Sequence, residues 1–303
     1  MKKLISLLTV TVLLLSLAAF AQADALRVVS PSGAPGIALA AMAVEDPDNC
    51  AYVAADAITA EFASGASDFI IAPLNAGAKL FRAGKSTYRL AAVVTWGNLY
   101  FASQREGFSA ETINGSPVTL FGENTINASI ALYALKENGI VPSEISYLAG
   151  AANTQSLLLS DPEAIVLTAE PALTAAGIKN SAVRSVSVNE LYKNATGFEG
   201  YTQAGLFVKA ETAENKKAEV DAFLKKAQEA CSLCETDVET VANAAVKLEI
   251  LPNAKVALSA VPRCAIRFVY AAEARSQVEA TAAVDLSQFG GALPEDDFYY
   301  AAE

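Results

Sequence analysis

From Asp24 onward the chain alternates short apolar runs rich in β-branched residues with single helical stretches, and each change is marked by Gly, Pro or Asn. "LRVVSP" reads as a strand, "GIALAAMAV" as a helix, "CAYVAA" as a strand, and "ITAEFASG" as a short helix closed by Gly65. The buried strand "DFIIAP", the helix "AGAKLFRAG" and the strand "YRLAAVVTWG" follow. Strands separated by single helices need right-handed crossovers, and their apolar runs need cover on both faces. This order therefore predicts an α/β fold built on parallel sheet.

After "YFASQREGFSAETINGS" the alternation begins again, with strands at "PVTLFG", "ISYLAG", "AIVLTAEP" and "VRSVSV" and helices at "INASIALYALKENG", "NTQSLLLS", "ALTAAGI" and "NELYKNATG". A second sheet is expected from these. "TQAGLFVKAE" gives one more extended run. From Glu214 the chain turns mainly helical, with "AENKKAEVDAFLKKAQEACSLC", "DVETVANAAVKLEI" and "FVYAAEARSQVEATAAV" all spacing apolar residues by three and four. A continuous doubly wound domain would accommodate this order. Two lobes fit it better, joined by extended crossovers near Ser116–Leu120 and Ala204–Val208 that return the last helices to the first lobe. The expected boundaries are residues 24–115 plus 208–303 for lobe 1 and 116–207 for lobe 2.

Residues 1–23 carry Lys2 and Lys3, an apolar stretch from Leu7 to Phe20, and the small-x-small sequence Ala21-Gln22-Ala23, the pattern of a signal peptide cleaved before Asp24. The stretch also approaches the ~17–25 residues that span a bilayer, but small residues stand where a peptidase would cut. The expected product is soluble and periplasmic, or otherwise extracytoplasmic. With 22 Lys and Arg against 33 Asp and Glu, the formal charge is −11, and losing the two leader lysines takes it to −13. That balance argues against nucleic acid or an anionic membrane as partner.

The sequence contains no histidine. It thereby lacks the commonest general base and the commonest transition-metal ligand, so no catalytic residue, metal site or cofactor is expected. The four cysteines, Cys50, Cys231, Cys234 and Cys264, allow two disulfides in an oxidising compartment and leave three connectivities open. "CSLC" ends a helical pattern rather than opening a helix after a strand, which disfavours a redox pair. Residues three apart on a helix hold their Cβ atoms ~5–6 Å apart, beyond the ~3.8 Å of a disulfide. A bond from Cys231 or Cys234 to Cys264 is preferred.

"DFIIAPLNAGAKLFRAG", "YRLAAVVTWGNLYFAS", "LFGENTINASIALYALKENGI" and "AIVLTAEPALTAA", with "VPRCAIRFV" (Val261 to Val269) and the tail "GGALPEDDFYY" (Gly290 to Tyr300), resemble the substrate-binding proteins of ABC importers. The likeness is to the group that binds alkanesulfonates, nitrate, taurine and thiamine precursors, and it covers essentially the whole mature chain. It implies a type II periplasmic-binding fold, with two α/β lobes closing on a small-molecule ligand held between them. It also implies an ABC permease in the inner membrane as partner, and a monomer.

In parallel α/β sheets ligands sit beyond the carboxyl ends of strands, where loops enter helix N-termini. Five such segments stand out. In "SPSGAPG", Ser30, Ser32 and Gly33 offer hydroxyls and a flexible backbone, although an ordinary helix start would use the same residues. In "APLNAGAKL", Asn75 can cap its helix or meet a ligand, and "VVTWGNLY" places Thr95 and Trp96 at the end of a buried strand. An indole there can stack on a ring or fill the core. In "LFGENTINASI", Asn124, Thr125 and Asn127 surround a helix end whose unpaired amides suit an anion or a neutral acceptor. In "LTAEPALTAA", Thr168 and Glu170 repeat the arrangement, and a carboxylate there would accept from an amine or ring N–H.

No Arg or Lys stands at these strand ends, so a neutral, zwitterionic or aromatic ligand is expected. The function read from these features is capture of a small solute for import. A sensor presenting ligand to a membrane receptor is the alternative. An enzyme on the same fold, like the histidine-using pyrimidine synthase of thiamine biosynthesis, is disfavoured by the missing histidine.

Overall fold

The computed structural model of the chain describes residues 25–302, so the expected leader lies outside them. Among these residues, strands β1 (Val28–Pro31), β2 (Cys50–Val53), β3 (Phe69–Pro73), β4 (Tyr88–Thr95), β10 (Ala204–Lys209) and β11 (Ile266–Tyr270) form one sheet, in the order β11-β4-β10-β3-β1-β2. The second sheet has the order β7-β6-β8-β5-β9, from β5 (Leu99–Ser103), β6 (Pro117–Phe121), β7 (Glu144–Leu148), β8 (Val166–Ala169) and β9 (Arg184–Ser187).

Each sheet is mixed rather than purely parallel. β1 pairs in parallel with β2 and β3, and β6 with β7 and β8, as the helical crossovers require. β10, however, lies antiparallel to β3 and β4, and β5 lies antiparallel to β8 and β9. The cause is the route of the chain. β4 ends at Thr95 and β5 starts at Leu99, so the chain crosses directly from one sheet into the other with no helix to reverse it. β10 returns from the second unit and enters the middle of the first sheet the same way.

The sheets therefore exchange chain at Trp96–Asn98 and just before Ala204, not within Ser116–Leu120 or Ala204–Val208. Residues 99–115 belong with the second sheet and 204–207 with the first. The polar run "QREGFSAETINGS" is a connection inside the second unit that carries the short helix Ala110–Ile113. The start of "FVYAAEARSQ", expected to be helical, instead continues a strand from Ile266, in which Ile266 and Phe268 are buried while Arg267 between them is exposed. That period of two makes β11 an edge strand before the helix Ala271–Val284.

β4 is buried at seven of its eight positions and packs on both faces. One face meets the helices Lys217–Thr236, Val238–Lys247 and Ala254–Ala260 through Leu224, Val241 and Ala257. The other face holds Phe207, whose ring stands edge-on to Phe62 at 5.2 Å between centroids, and Phe298 from the tail. Each such side chain removed from water contributes about 1.5–3 kcal/mol. Tyr300 N–H donates to the Leu90 carbonyl at 2.7 Å, so the motif "DFYY" is clamped against β4. No described helix is long and apolar enough to cross a membrane.

All four cysteines are unpaired, which replaces the expected bond to Cys264. Burial pushes the Cys50 thiol up to about 11, helped by Asp46, and Cys234 up to about 12, helped by Glu235; Cys231 and Cys264 are raised well above the usual range by burial. Thiols held protonated and covered are inert. Iodoacetamide at pH 8 should label Cys50 first in the native protein, and all four cysteines after denaturation without reductant. Fewer than four labelled sites would reveal a disulfide. A Cβ on Gly77 would stand 2.4 Å from the Phe207 ring, because the helix Leu74–Arg82 rests directly on β10. Gly77→Ala should cost about 1–3 kcal/mol in urea denaturation through overpacking.

Candidate functional site

The carboxyl ends of β1, β3 and β4 point the same way in one sheet, as do those of β6 and β8 in the other, and the resemblance noted above implies a ligand cleft between these two sets of strand ends. The sequence-predicted residues divide there into two sets. The first set has side chains with no hydrogen-bond partner among the described residues. Ser32 is exposed in the turn after β1, and the adjacent Gly33 adopts φ 98°, a left-handed backbone that favours glycine. Asn75 lies in the first turn of the helix Leu74–Arg82 and Asn127 in the first turn of the helix Ile126–Glu137. The preceding residues, Leu74 and Ile126, pack into one apolar cluster, which draws the two helix starts together across the sheets. Asn124 is exposed at φ 58°, and its carbonyl accepts from Gln288 Nε2 at 3.0 Å.

The second set is committed to the protein or enclosed by it. Ser30 is 4% exposed and donates to the Pro31 carbonyl. Thr95 Oγ1 accepts from the Ala204 N–H at 2.9 Å, tying β4 to the start of β10. Trp96 Nε1 donates to the Arg267 carbonyl at 2.8 Å, and the Arg267 guanidinium covers the ring 4.4 Å from its centroid. The indole is thus one wall of a ≈ 170 Å³ cavity with Asn189, Ala265 and Arg267 beside the first crossing. Thr125 Oγ1 donates to the Gly122 carbonyl at 2.6 Å and fixes the turn before its helix. Thr168 is wholly buried within β8, and its hydroxyl has no protein partner.

Glu170 is held hardest. Its carboxylate accepts from the Thr174 N–H at 3.2 Å, capping the helix Ala172–Lys179, and from Arg263 Nε at 2.5 Å. Its side chain is 0% exposed against 41% for Arg263. Arg263 also donates to Ser185 Oγ at 3.3 Å and lies 4.6 Å over the Tyr100 ring, so a side chain from before β11 reaches β5, β9 and the residue that follows β8 in the other sheet. Burial raises the Tyr100 hydroxyl to about 12, opposed in part by that guanidinium. A cation does stand beside a strand end after all, already neutralised by Glu170.

Sequence reasoning also missed Asn98, Gln203 and Asn189. Asn98 Nδ2 donates to the Glu170 carbonyl at 2.9 Å, and Gln203 Nε2 donates to Asn98 Oδ1 at 2.9 Å. Asn189 Nδ2 donates to the carbonyls of Trp96 and Gly97, at 2.8 and 2.9 Å. Gln203 Oε1 and Asn189 Oδ1 are buried with no protein partner, and a buried acceptor left so costs about 1–3 kcal/mol. Among the described residues no cluster of three or more His, Cys, Asp or Glu side chains could hold a metal ion.

Removing one member of an enclosed ion pair strands the other charge. Arg263→Met should therefore destabilise the protein by on the order of 3 kcal/mol, and adding Glu170→Gln should restore most of that loss. Additive losses in chemical denaturation of the single and double variants would show that the pair is not coupled.

No family model matches the sequence, and no curated protein matches it. Solved structures do match its fold. An ABC transporter protein from Parabacteroides distasonis superposes with a TM-score of 0.79 at 21% identity, covering 92% of this chain and 99% of the other. The periplasmic aliphatic sulphonate binding protein SsuA of Escherichia coli superposes with a TM-score of 0.70 at 16% identity, covering 92% and 93%. The CA3427 gene product of Candida albicans, described as having the generic periplasmic binding protein fold, gives 0.55 at 10% identity, covering 91% and 93%. The chain has the periplasmic-binding-protein fold.

Proposed function

We propose that the chain is the extracytoplasmic solute-binding component of an ABC importer, which captures a small neutral, zwitterionic or aromatic molecule between its lobes and delivers it to a permease. The observation that carries this reading is the set of unpartnered polar side chains, Ser32, Asn75 and Asn127, at strand ends on both sides of two short crossings. Side chains on both lobes that lack protein partners can be bridged by one ligand, and a ligand that contacts both lobes favours the closed arrangement. The helix starts at Leu74 and Ile126 add backbone N–H groups to that set.

The neighbouring sulphonate-binding protein suggests an anionic ligand, but the polarity of this cleft supports a different choice. The strand ends present no Lys or Arg of their own, and Arg263 is engaged by Glu170. Arg267 has no carboxylate partner among the described residues but lies over the Trp96 ring at 4.4 Å, so a fully anionic ligand at the strand ends gains hydrogen bonds and little opposite charge, whereas a neutral or zwitterionic one loses nothing.

Thermal-shift screening against thiamine precursors, flavins, sulfonates and aromatic acids should find a compound that raises stability by about 2.7 kcal/mol at a hundred times its Kd. Asn75→Ala with Asn127→Ala should then weaken its binding at least about tenfold, equivalent to 1.4 kcal/mol, while changing unfolding stability by less than about 1 kcal/mol, since neither side chain has a partner to lose. Unchanged affinity in titration calorimetry would remove these asparagines from the site.

A further inference from the structure

The ≈ 170 Å³ cavity against Trp96 lies apart from the strand ends that carry Asn75 and Asn127. Of its lining residues, Ala265 and Arg267 stand at the start of β11, the edge strand beside β4, and Asn189 opens the helix Val188–Thr196 directly after β9, the edge strand beside β5. β3 and β6, which lead to the two asparagines, lie on the opposite sides of β4 and β5. The joined pair of β4 and β5 therefore stands between this cavity and those asparagines. Glu235 from the first lobe and Glu199 from the second complete the polar part of the lining.

Charges of both signs line it, and each is short of a partner. Both N–H groups of Trp96 are held by the segment that enters β11: the main-chain N–H donates to the Ala265 carbonyl at 2.9 Å and Nε1 to the Arg267 carbonyl at 2.8 Å. The ring is thereby fixed, and the Arg267 guanidinium lies over it. A cation–π contact uses the charge of a guanidinium and leaves its N–H donors unspent. Among the described residues no carboxylate or carbonyl takes those donors, so Arg267 offers a positioned fork for an acid group. Glu235 supplies the opposite sign. It is exposed in the last turn of the 20-residue helix Lys217–Thr236, and no cation meets it among the described residues. That turn is the negative end of the helix dipole, where a carboxylate is disfavoured and a cation is stabilised. Glu199 adds a second carboxylate, shared with Lys193 Nζ at 2.7 Å.

We infer that this cavity is a second binding site, for a compact zwitterion whose acid group pairs with Arg267 and whose ammonium lies against Glu235 and the helix end. An anion alone would meet two carboxylates there, and a cation alone would meet the guanidinium. A molecule carrying both charges answers both. The cavity is smaller than the ~300–1,000 Å³ of pockets that hold drug-sized ligands, which limits its occupant to about the size of a small amino acid. The inference does not rest on the solute-binding reading, because the site lies outside that cleft. Its walls come from both lobes, so an occupant favours whichever arrangement of the lobes it fits better.

Trp96 is the sole tryptophan, so intrinsic fluorescence reports on this wall directly. Glycine, β-alanine and 4-aminobutyrate are titrated into the protein, with propionate and propylamine as controls of single charge. At least one amino acid is expected to change the Trp96 emission saturably, with a Kd at least about tenfold below that of either control. Arg267→Gln and Glu235→Gln, each confirmed as folded by its own denaturation curve, should each raise that Kd at least about tenfold, whereas Asn75→Ala with Asn127→Ala should leave it unchanged. Emission unmoved by all three amino acids, or a control that binds as tightly, would overturn the inference with the unaltered protein alone. Survival of the signal in either single variant would also overturn it. A signal lost only in the asparagine double variant would place the binding in the cleft, sinking this inference while leaving the solute-binding reading standing.

Discussion

The rest of the structure depends on how closely the two crossings pack against each other. A Cβ on Gly200 would stand 2.3 Å from the Trp96 carbonyl, and one on Gly97 would stand 2.4 Å from both Asn189 Oδ1 and the Tyr201 ring. Gly97 also sits at φ 90°, where a side chain is strained whatever the space. Only at glycine can the backbone segments approach this way. Asn189 then bonds both carbonyls of the first crossing with a single NH₂ group. Because the crossings are short and pinned, β5 and β10 must run against their neighbours, and the strand ends of both sheets must converge on one place.

That constraint explains what the sequence made legible. Strand and helix alternation marked the apolar strands and the two-lobed α/β plan, because hydrophobic period is a local property. Gly65 was readable as a helix end for the same reason, and it does adopt φ 61°. β5 escaped notice because "LYFAS" follows its predecessor without a helix, and β11 because "IRFVY" runs into "AAEARSQ" without a Gly or Pro between them. The boundary between lobes was placed at a polar run, although the chain changes sheets within three residues of a buried strand.

The site was less legible still, since its decisive contacts are made between distant residues. Asn98 and Gln203 are separated by 105 positions, and Glu170 and Arg263 by 93. Thr95, Trp96 and Glu170 were correctly placed at strand ends by their position in the sequence. No local pattern could say that Ala204, Arg267 and Arg263 would already occupy their polar groups. Asn75 and Asn127 differ because no partner reaches them, which is a fact about the whole fold rather than about either loop.

The two flanks of the cleft are held by different physics. On one side the Arg263–Glu170 pair has its carboxylate fully enclosed while its guanidinium, 41% exposed, meets water, so the attraction is screened from the arginine side only. On the other, Ser129 Oγ donates to Asp285 Oδ2 at 2.8 Å and Gln288 reaches the Asn124 carbonyl, both contacts being open to water at one end. Hydrogen bonds from Ser287 and then Ser129 hold the Asp285 carboxyl below its ordinary range. Its contribution is therefore complete above the ordinary carboxylate pKa and is lost only as pH falls through the lowered one. Separating the pair would leave a buried carboxylate without its opposite charge, whereas exposed hydrogen bonds exchange with water at little net cost. On the solute-binding reading proposed above, the lobes would therefore part at least cost where the helix Ile126–Glu137 meets the turn at Asp285, on the side that carries Asn124 and Asn127.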